Sequence, residues 1–125
     1  MLKDHDSSAI VAVRDLARAR TFYDEVLGLT CIDKSDEEGV LTYDTGGTKL
    51  VVYKSDEAGT NRANAVVWGV GDDIDAVVTA LEEKGADFQH YDGIGTLDGN
   101  VHRIDDAKLV WIKDPDGNIL HINNL

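Results

Sequence analysis

The sequence predicts an α+β fold made of two βαβββ modules. Three observations carry this reading. A β-prone run, an amphipathic helix and three more β-prone runs follow one another twice within 125 residues. The two halves align: Val13 falls on Val70 at an offset of 57 residues, and Asp44, Leu50 and Val52 fall on Asp114, Leu120 and Ile122 at an offset of 70. The segment Asp114-Pro115-Asp116-Gly117-Asn118 holds the only proline. Its residues suit a type I turn followed by a left-handed glycine, the connection of a bulged hairpin.

Taken in order, Ala9–Val13 alternates and is β-branched, which predicts the first strand. Asp15 then stands as the N-cap of a helix whose apolar positions are Leu16, Ala19, Phe22, Tyr23, Val26 and Leu27, with Gly28 as its stop. Leu29–Lys34, Gly39–Asp44 and Lys49–Lys54 read as strands joined by Asp36-Glu37-Glu38 and Thr45-Gly46-Gly47. This completes module one, 7–54. The polar segment 55–63 reads as a linker. In module two, 64–125, Ala65–Val70 is a strand, and Asp72 or Asp73 caps a helix with Ile74, Val77, Val78 and Leu81 on one face. Gly85 closes that helix. Asp87–Gln89 is a short strand, Tyr91 to Asp106 a long polar loop, and Lys108–Lys113 and Asn118–Ile122 the last hairpin. Neither half can bury its sheet alone, so the chain is expected to form a single domain.

A hydrophobic content of 42% gives room for one core. No apolar run approaches the ~20 residues of a membrane-spanning helix. The start of the chain is polar and unlike a secretory signal, so the expected compartment is the cytoplasm. Cys31 is alone, which excludes an internal disulfide and a thiolate cluster, and it reads as a free buried thiol. The net charge of −12 repels nucleic acid and anionic membrane and favours a cationic guest. Ser7-Ser8 lacks a nucleophile-elbow setting. Gly46-Gly47 has no helix after it and is a turn rather than a phosphate cradle. Arg14, Arg18 and Arg20 read as a solvated helix face paired with nearby acids.

Strand alternation sorts the two faces of the sheet. Leu50, Val52, Leu120 and Ile122 point toward the helices. Ser8, Ile10, Ala12, Val51, Tyr53, Ile119 and His121 point the other way, and the bulged turn sets Trp111 across from His121. That face is apolar with a few aromatic or polar-tipped groups, which suits a ligand with a flat or apolar body. Ser8, Ile10, Val51, Tyr53, Trp111 and His121 are the candidate ligand-binding residues. For Trp111 and Tyr53 the other reading is core or dimer interface. For His121 the readings are a satisfied wall residue, a ligand contact or a general base. Trp68 alternates with Val66 and Val70 and reads as core.

The run Val11-Ala12-Val13-Arg14-Asp15-Leu16 leads into Phe22-Tyr23 and Leu27-Gly28-Leu29. With the Asp114–Asn118 turn and the internal repeat, it resembles the vicinal oxygen chelate superfamily, which includes glyoxalase I, bleomycin-resistance proteins and extradiol dioxygenases. The resemblance covers nearly the whole chain. It implies a mixed sheet curled into an open half-barrel, helices on its outer face, and a small-molecule site in the concave face, often enclosed across a homodimer. Metalloenzymes of that superfamily place one ligand on the first and one on the last strand of each module. Carried over, these positions fall on Ser8, Val51, Ala65 (Val66 at the neighbouring register) and His121. Valine and alanine cannot coordinate, and a catalytic metal ordinarily takes about three protein ligands. The expectation is therefore no metal and no other cofactor. A surrogate site would have to bring His5, His90 or His102 from loops or termini toward His121.

The function these readings favour is a metal-free small-molecule-binding protein of the bleomycin-resistance type. Its ligand would be cationic or aromatic, the protein a homodimer, with no nucleic-acid or membrane partner. The rival is an enzyme, a lyase, isomerase or oxidoreductase, using an atypical metal site or His121 as base.

Overall fold

The computed structural model describes residues 1–35 and 37–125. Asp36, from the expected Asp36-Glu37-Glu38 turn, lies outside the described residues. Module one contributes β1 (Ala9–Val13), α1 (Leu16–Thr21), β2 (Thr30–Ser35), β3 (Val40–Thr45) and β4 (Thr48–Lys54). Module two contributes β5 (Asn64–Gly69), α2 (Ile74–Glu83), β6 (Asp87–Gln89), β7 (Thr96–Asp98), β8 (Val101–Ile104), β9 (Ala107–Lys113) and β10 (Ile119–Asn123). The first sheet has the order β1-β4-β3-β2, with β1 and β4 parallel. The second runs β5-β10-β9-β8-β7, with β6 also on β9, and neither sheet closes into a barrel. β1 packs beside β5, so the modules meet edge to edge within one chain.

The repeat survives at the level of packing. Leu50 and Val52, and their counterparts Leu120 and Ile122, are all buried in one core with Ala19, Tyr23, Val78 and Leu81. Each such side chain contributes about 1.5–3 kcal/mol by leaving water. The helices therefore cover one face of the paired sheets, and the opposite face is left for other use.

Four local expectations need correction. The segment Tyr91 to Asp106 is not a plain loop, because it holds β7 and β8, which pair Leu97 with His102 around a Gly99-Asn100 turn. β6 and β8 both pair with β9, so together they take the place that β2 holds in module one. The first helix does not run on to Leu27 as an α-helix. It stops at Thr21 and widens into a π-helical turn, Phe22–Val26. Neither Asp72 nor Asp73 caps α2 through its side chain: a 3₁₀ turn, Gly71–Asp73, leads in instead. Cys31 is half-buried rather than buried, and its thiol donates to the Asp33 carbonyl. Asp15 does cap α1, accepting from Arg18 N at 2.9 Å. At the end of α2, Gly85 N–H donates to Glu82 O and Ala86 N–H to Leu81 O, the paired bonds of a Schellman stop.

The Asp114 hairpin forms as its residues require. Gly117 N–H donates to Asp114 O, Gly117 takes φ +88°, and Asp114 Oδ1 accepts from Asp116 N and Asn118 N. Its other oxygen reaches across the molecule. Tyr23 donates to Asp114 Oδ2 at 2.8 Å, and Asn118 Nδ2 lies 2.8 Å from both Asp114 Oδ2 and the Ala12 carbonyl. Next to it, the Asp116 carboxylate, 1% exposed, accepts from Arg14 N and Arg18 Nη2. The arginines read as a solvated face thus include two that hold the far hairpin. The linker closes the same corner, since a Cβ on Gly59 would stand 2.1 Å from Asp116 O.

Burial first, and Asp114 second, hold the Tyr23 phenol protonated well above its ordinary value of 10.0. Above pH ~10 the unfolded phenol loses its proton and the folded one keeps it, so this contribution to stability is lost as pH rises. Tyr23→Phe should cost about 1–3 kcal/mol in urea unfolding at neutral pH, because a buried carboxylate loses a donor. That gap should narrow by about 1.4 kcal/mol per pH unit above pH ~10. A gap that stays constant into that range would contradict the assignment.

Candidate functional site

The face turned away from the helices is laid out by strand register. In module one Ile10 pairs with Val51 and Ala12 with Tyr53, and Val51 pairs with Thr42 on β3. In module two Gln89, Trp111, His121 and Val67 form one row across β6, β9, β10 and β5. The neighbouring residues Val11, Val13, Val110, Ile112, Leu120 and Ile122 are buried on the helix side. Alternation therefore sends the row residues to the other face. Ser8 lies just before β1 and is exposed. Ala65 is the extra residue where β5 bulges against Ile119 and Leu120, and Val67, not Ala65 or Val66, stands opposite His121.

Trp111 and His121 are stacked, with ring centroids 4.6 Å apart and planes at 20°. Tyr91 and His102 meet the indole edge-on at 5.3 and 5.2 Å, and His90 follows at 6.2 Å from His102. His102, expected in a loop, sits on β8 and is buried. Its Nδ1 donates to Ile94 O at 2.9 Å, and its Nε2 accepts from Tyr91 N at 3.4 Å. These two bonds fold the segment before β7 over Trp111, which is only 8% exposed. The second half of the face is thus covered by the chain itself. The part around β1, β4 and β5 is open: Ile10 is 61% exposed and Val67 59%, with Val51 and Tyr53 half-buried beside Ile10.

Sequence reasoning missed Tyr91 and the packing of His102 against Trp111. A signal was there: Thr96–Asp98 and Val101–Ile104 flank Gly99-Asn100, a two-residue hairpin connection. His5 remains at the exposed start of the chain, and His90 Nε2 bonds Asn100 Oδ1 at 2.8 Å.

His121 has both ring nitrogens engaged. Nδ1 lies 3.0 Å from Val110 O, and Nε2 lies 3.2 Å from Asn123 Nδ2. A carbonyl only accepts, so the proton belongs on Nδ1, and Nε2 accepts from the Asn123 amide. The residues at Ser8, Val51, Ala65 and His121 do not fit a divalent metal. Two have no donor atom, and the imidazole has no free lone pair. Among the described residues no three His, Cys, Asp or Glu side chains gather to hold one. No helix among them is long and apolar enough to cross a membrane.

A sequence model of the Glyoxalase/Bleomycin resistance protein/Dioxygenase superfamily matches residues 7–122. Comparison with curated protein sequences gives no match. Among solved structures, the chain is similar to a glyoxalase/bleomycin resistance protein/dioxygenase from Alicyclobacillus acidocaldarius, at 20% identity and TM-score 0.74, covering 96% of this chain and 90% of that one. It is similar to lactoylglutathione lyase from Agrobacterium tumefaciens, at 19% identity and TM-score 0.71, covering 96% and 92%. It is also similar to fosfomycin resistance protein FosX from Mesorhizobium loti, at 15% identity and TM-score 0.71, covering 100% and 94%. At these identities the likeness is one of fold.

Two-bond ¹H–¹⁵N spectra of the histidine rings at alkaline pH should show His121 as the Nδ1–H tautomer. Asn123→Ala should shift its Nε2 resonance while leaving Nδ1–H bonded. An Nε2–H tautomer would contradict this geometry.

Proposed function

The chain belongs to the Glyoxalase/Bleomycin resistance protein/Dioxygenase superfamily, and from that premise we propose that it is a metal-free binding protein for a small molecule held on the concave face of its sheets. The observation that carries the reading is His121. It is the one strong donor residue at the four superfamily ligand positions, and both its nitrogens are spent on Val110 and Asn123. What remains is an apolar floor, Ile10, Val51 and Tyr53, bordered by an aromatic cluster around Trp111. A flat guest gains by stacking and burial there, and the net charge of −12 raises the local concentration of a cationic one. Trp111, 8% exposed beneath the segment from Tyr91 to Ile94, borders that floor and reports a guest seated on it. A fosfomycin resistance protein and a lactoylglutathione lyase lie among the structural neighbours, and an enzyme is the second reading of this fold. Catalysis with His121 as base would require Nε2 to leave Asn123.

The exposed pair Ile10 and Val67 lies where the two modules meet and gives a second copy an apolar surface to close the face. The protein on this reading is a cytoplasmic homodimer.

Elemental analysis of protein purified from metal-supplemented medium should find no stoichiometric Ni, Zn, Fe or Mn. One metal per chain sinks the metal-free reading. Titration with cationic aromatic dyes should quench tryptophan emission, and Trp111→Phe should remove most of the quenching. Unchanged quenching in that variant moves the guest elsewhere. Light scattering should report a dimer at micromolar concentration, and Ile10→Glu should shift it to monomer.

A further inference from the structure

The first sheet has an irregularity in β2, its outer strand. Cys31 stands opposite Tyr43, and the next paired residue, Asp33, stands opposite Thr42. Ile32 is the extra residue of a bulge and is 47% exposed. Tyr43 is buried on the helix side, so Thr42 faces the other way. Without the bulge, residue 33 would share the face of Cys31. With it, Asp33 joins the row that runs Asp33, Thr42, Val51, Ile10 across β2, β3, β4 and β1. Re-aiming a side chain beside a functional site is a recurring use of bulges. Asp44 and Lys49, in the next row of the same face, pair with each other. The Asp33 carboxylate is exposed and has no hydrogen bond or ion pair among the described residues; only its carbonyl is engaged, by the Cys31 thiol.

We propose that Asp33 is the specificity residue of the concave face, where it takes the charged end of an amine whose flat apolar body lies on Val51 and Ile10. The inference rests on the small-molecule reading above and adds to it the residue that selects the guest and the shape of that guest. Neighbouring strands lie about 4.8 Å apart, so Val51 is two spacings from Asp33, about 10 Å, and Ile10 three, about 14 Å. A ring seated on those two residues therefore needs a linker of roughly 5–10 Å to bring its ammonium to the carboxylate. Thr42, small and uncharged, stands between them. A compact cation without the ring gains only an exposed ion pair, which is weak. A ring without the cation gains burial alone. An anionic end in place of the amine meets Asp33 and the net charge of −12 together and is disfavoured by both. The net charge draws any cation toward the protein, whereas Asp33 sets where on the face its charge comes to rest.

Three fluorescent probes of one shape test this on the intact chain at low salt. They are dansylcadaverine, whose ring carries an amine on an alkyl linker, its neutral N-acetyl derivative, and the dansyl derivative of 6-aminohexanoic acid, which ends in a carboxylate. The amine should bind tightest and the carboxylate weakest. Asp33→Asn should weaken the amine roughly threefold, the scale of one exposed ion pair, and leave the N-acetyl derivative unchanged. Glu83→Gln removes the same unit of charge from α2, on the helix side, and should leave all three unchanged. Equal losses in the two variants, or a carboxylate that binds as tightly as the amine, overturn the assignment of Asp33 while the concave-face reading stands. Binding of none of the three probes overturns both.

Discussion

The Asp114 carboxylate is the constraint on which the arrangement of the two modules rests. It is buried, and an ionised carboxylate without partners in that position would be prohibitively costly. Four donors meet it: the backbone of Asp116 and Asn118, the Asn118 amide and the Tyr23 hydroxyl. Two of these shape the last turn. The Tyr23 bond joins that turn to the first helix, and Asn118 passes the connection on to the Ala12 carbonyl at the end of β1. Charge-assisted bonds of this kind are stronger than neutral ones. The same corner collects Asp116, Arg14, Arg18 and the linker at Gly59, so the hairpin is held from module one and from the segment between modules.

This explains why so much of the fold was legible. The turn at Asp114 sets the register of β9 on β10, and register decides which residues share a face. Once Trp111 pairs with His121, the alternation of Leu120 and Ile122 toward the helices follows. The strand of module one that carries Leu50 and Val52 obeys the same rule through its Gly46-Gly47 turn. Periodicity needs long, regular segments to speak clearly, and β4, β9 and α2 supply them.

The elements that escaped are those settled by partners distant in sequence. β7 and β8 are three and four residues long, with Asp98 and Arg103 among them; β8 gains order by pairing with β9, and β7 by pairing with β8, rather than from β propensity. The π-helical turn at Phe22–Val26 carries Tyr23, whose hydroxyl is committed to Asp114 ninety-one residues away. No local pattern announces that demand. The cover over Trp111 depends on His102 bonding both Tyr91 and Ile94, a fit of side chain to backbone that composition does not encode.

The two faces of the sheets answer to different requirements. On the helix side, Leu50, Val52, Leu120 and Ile122 are fixed by packing, where losing even one methylene is felt. On the concave side the backbone holds positions 51 and 121 in equivalent places, whatever side chains they carry. Val51 and a His121 satisfied within its own strand and its neighbour therefore stand at these positions with no loss to the fold. The shape of the face comes from the hairpin corner and the core, and its chemistry comes from residues the core does not constrain. The geometry of the scaffold is thus held by the hairpin corner and the core, independently of the side chains on the face opposite the helices.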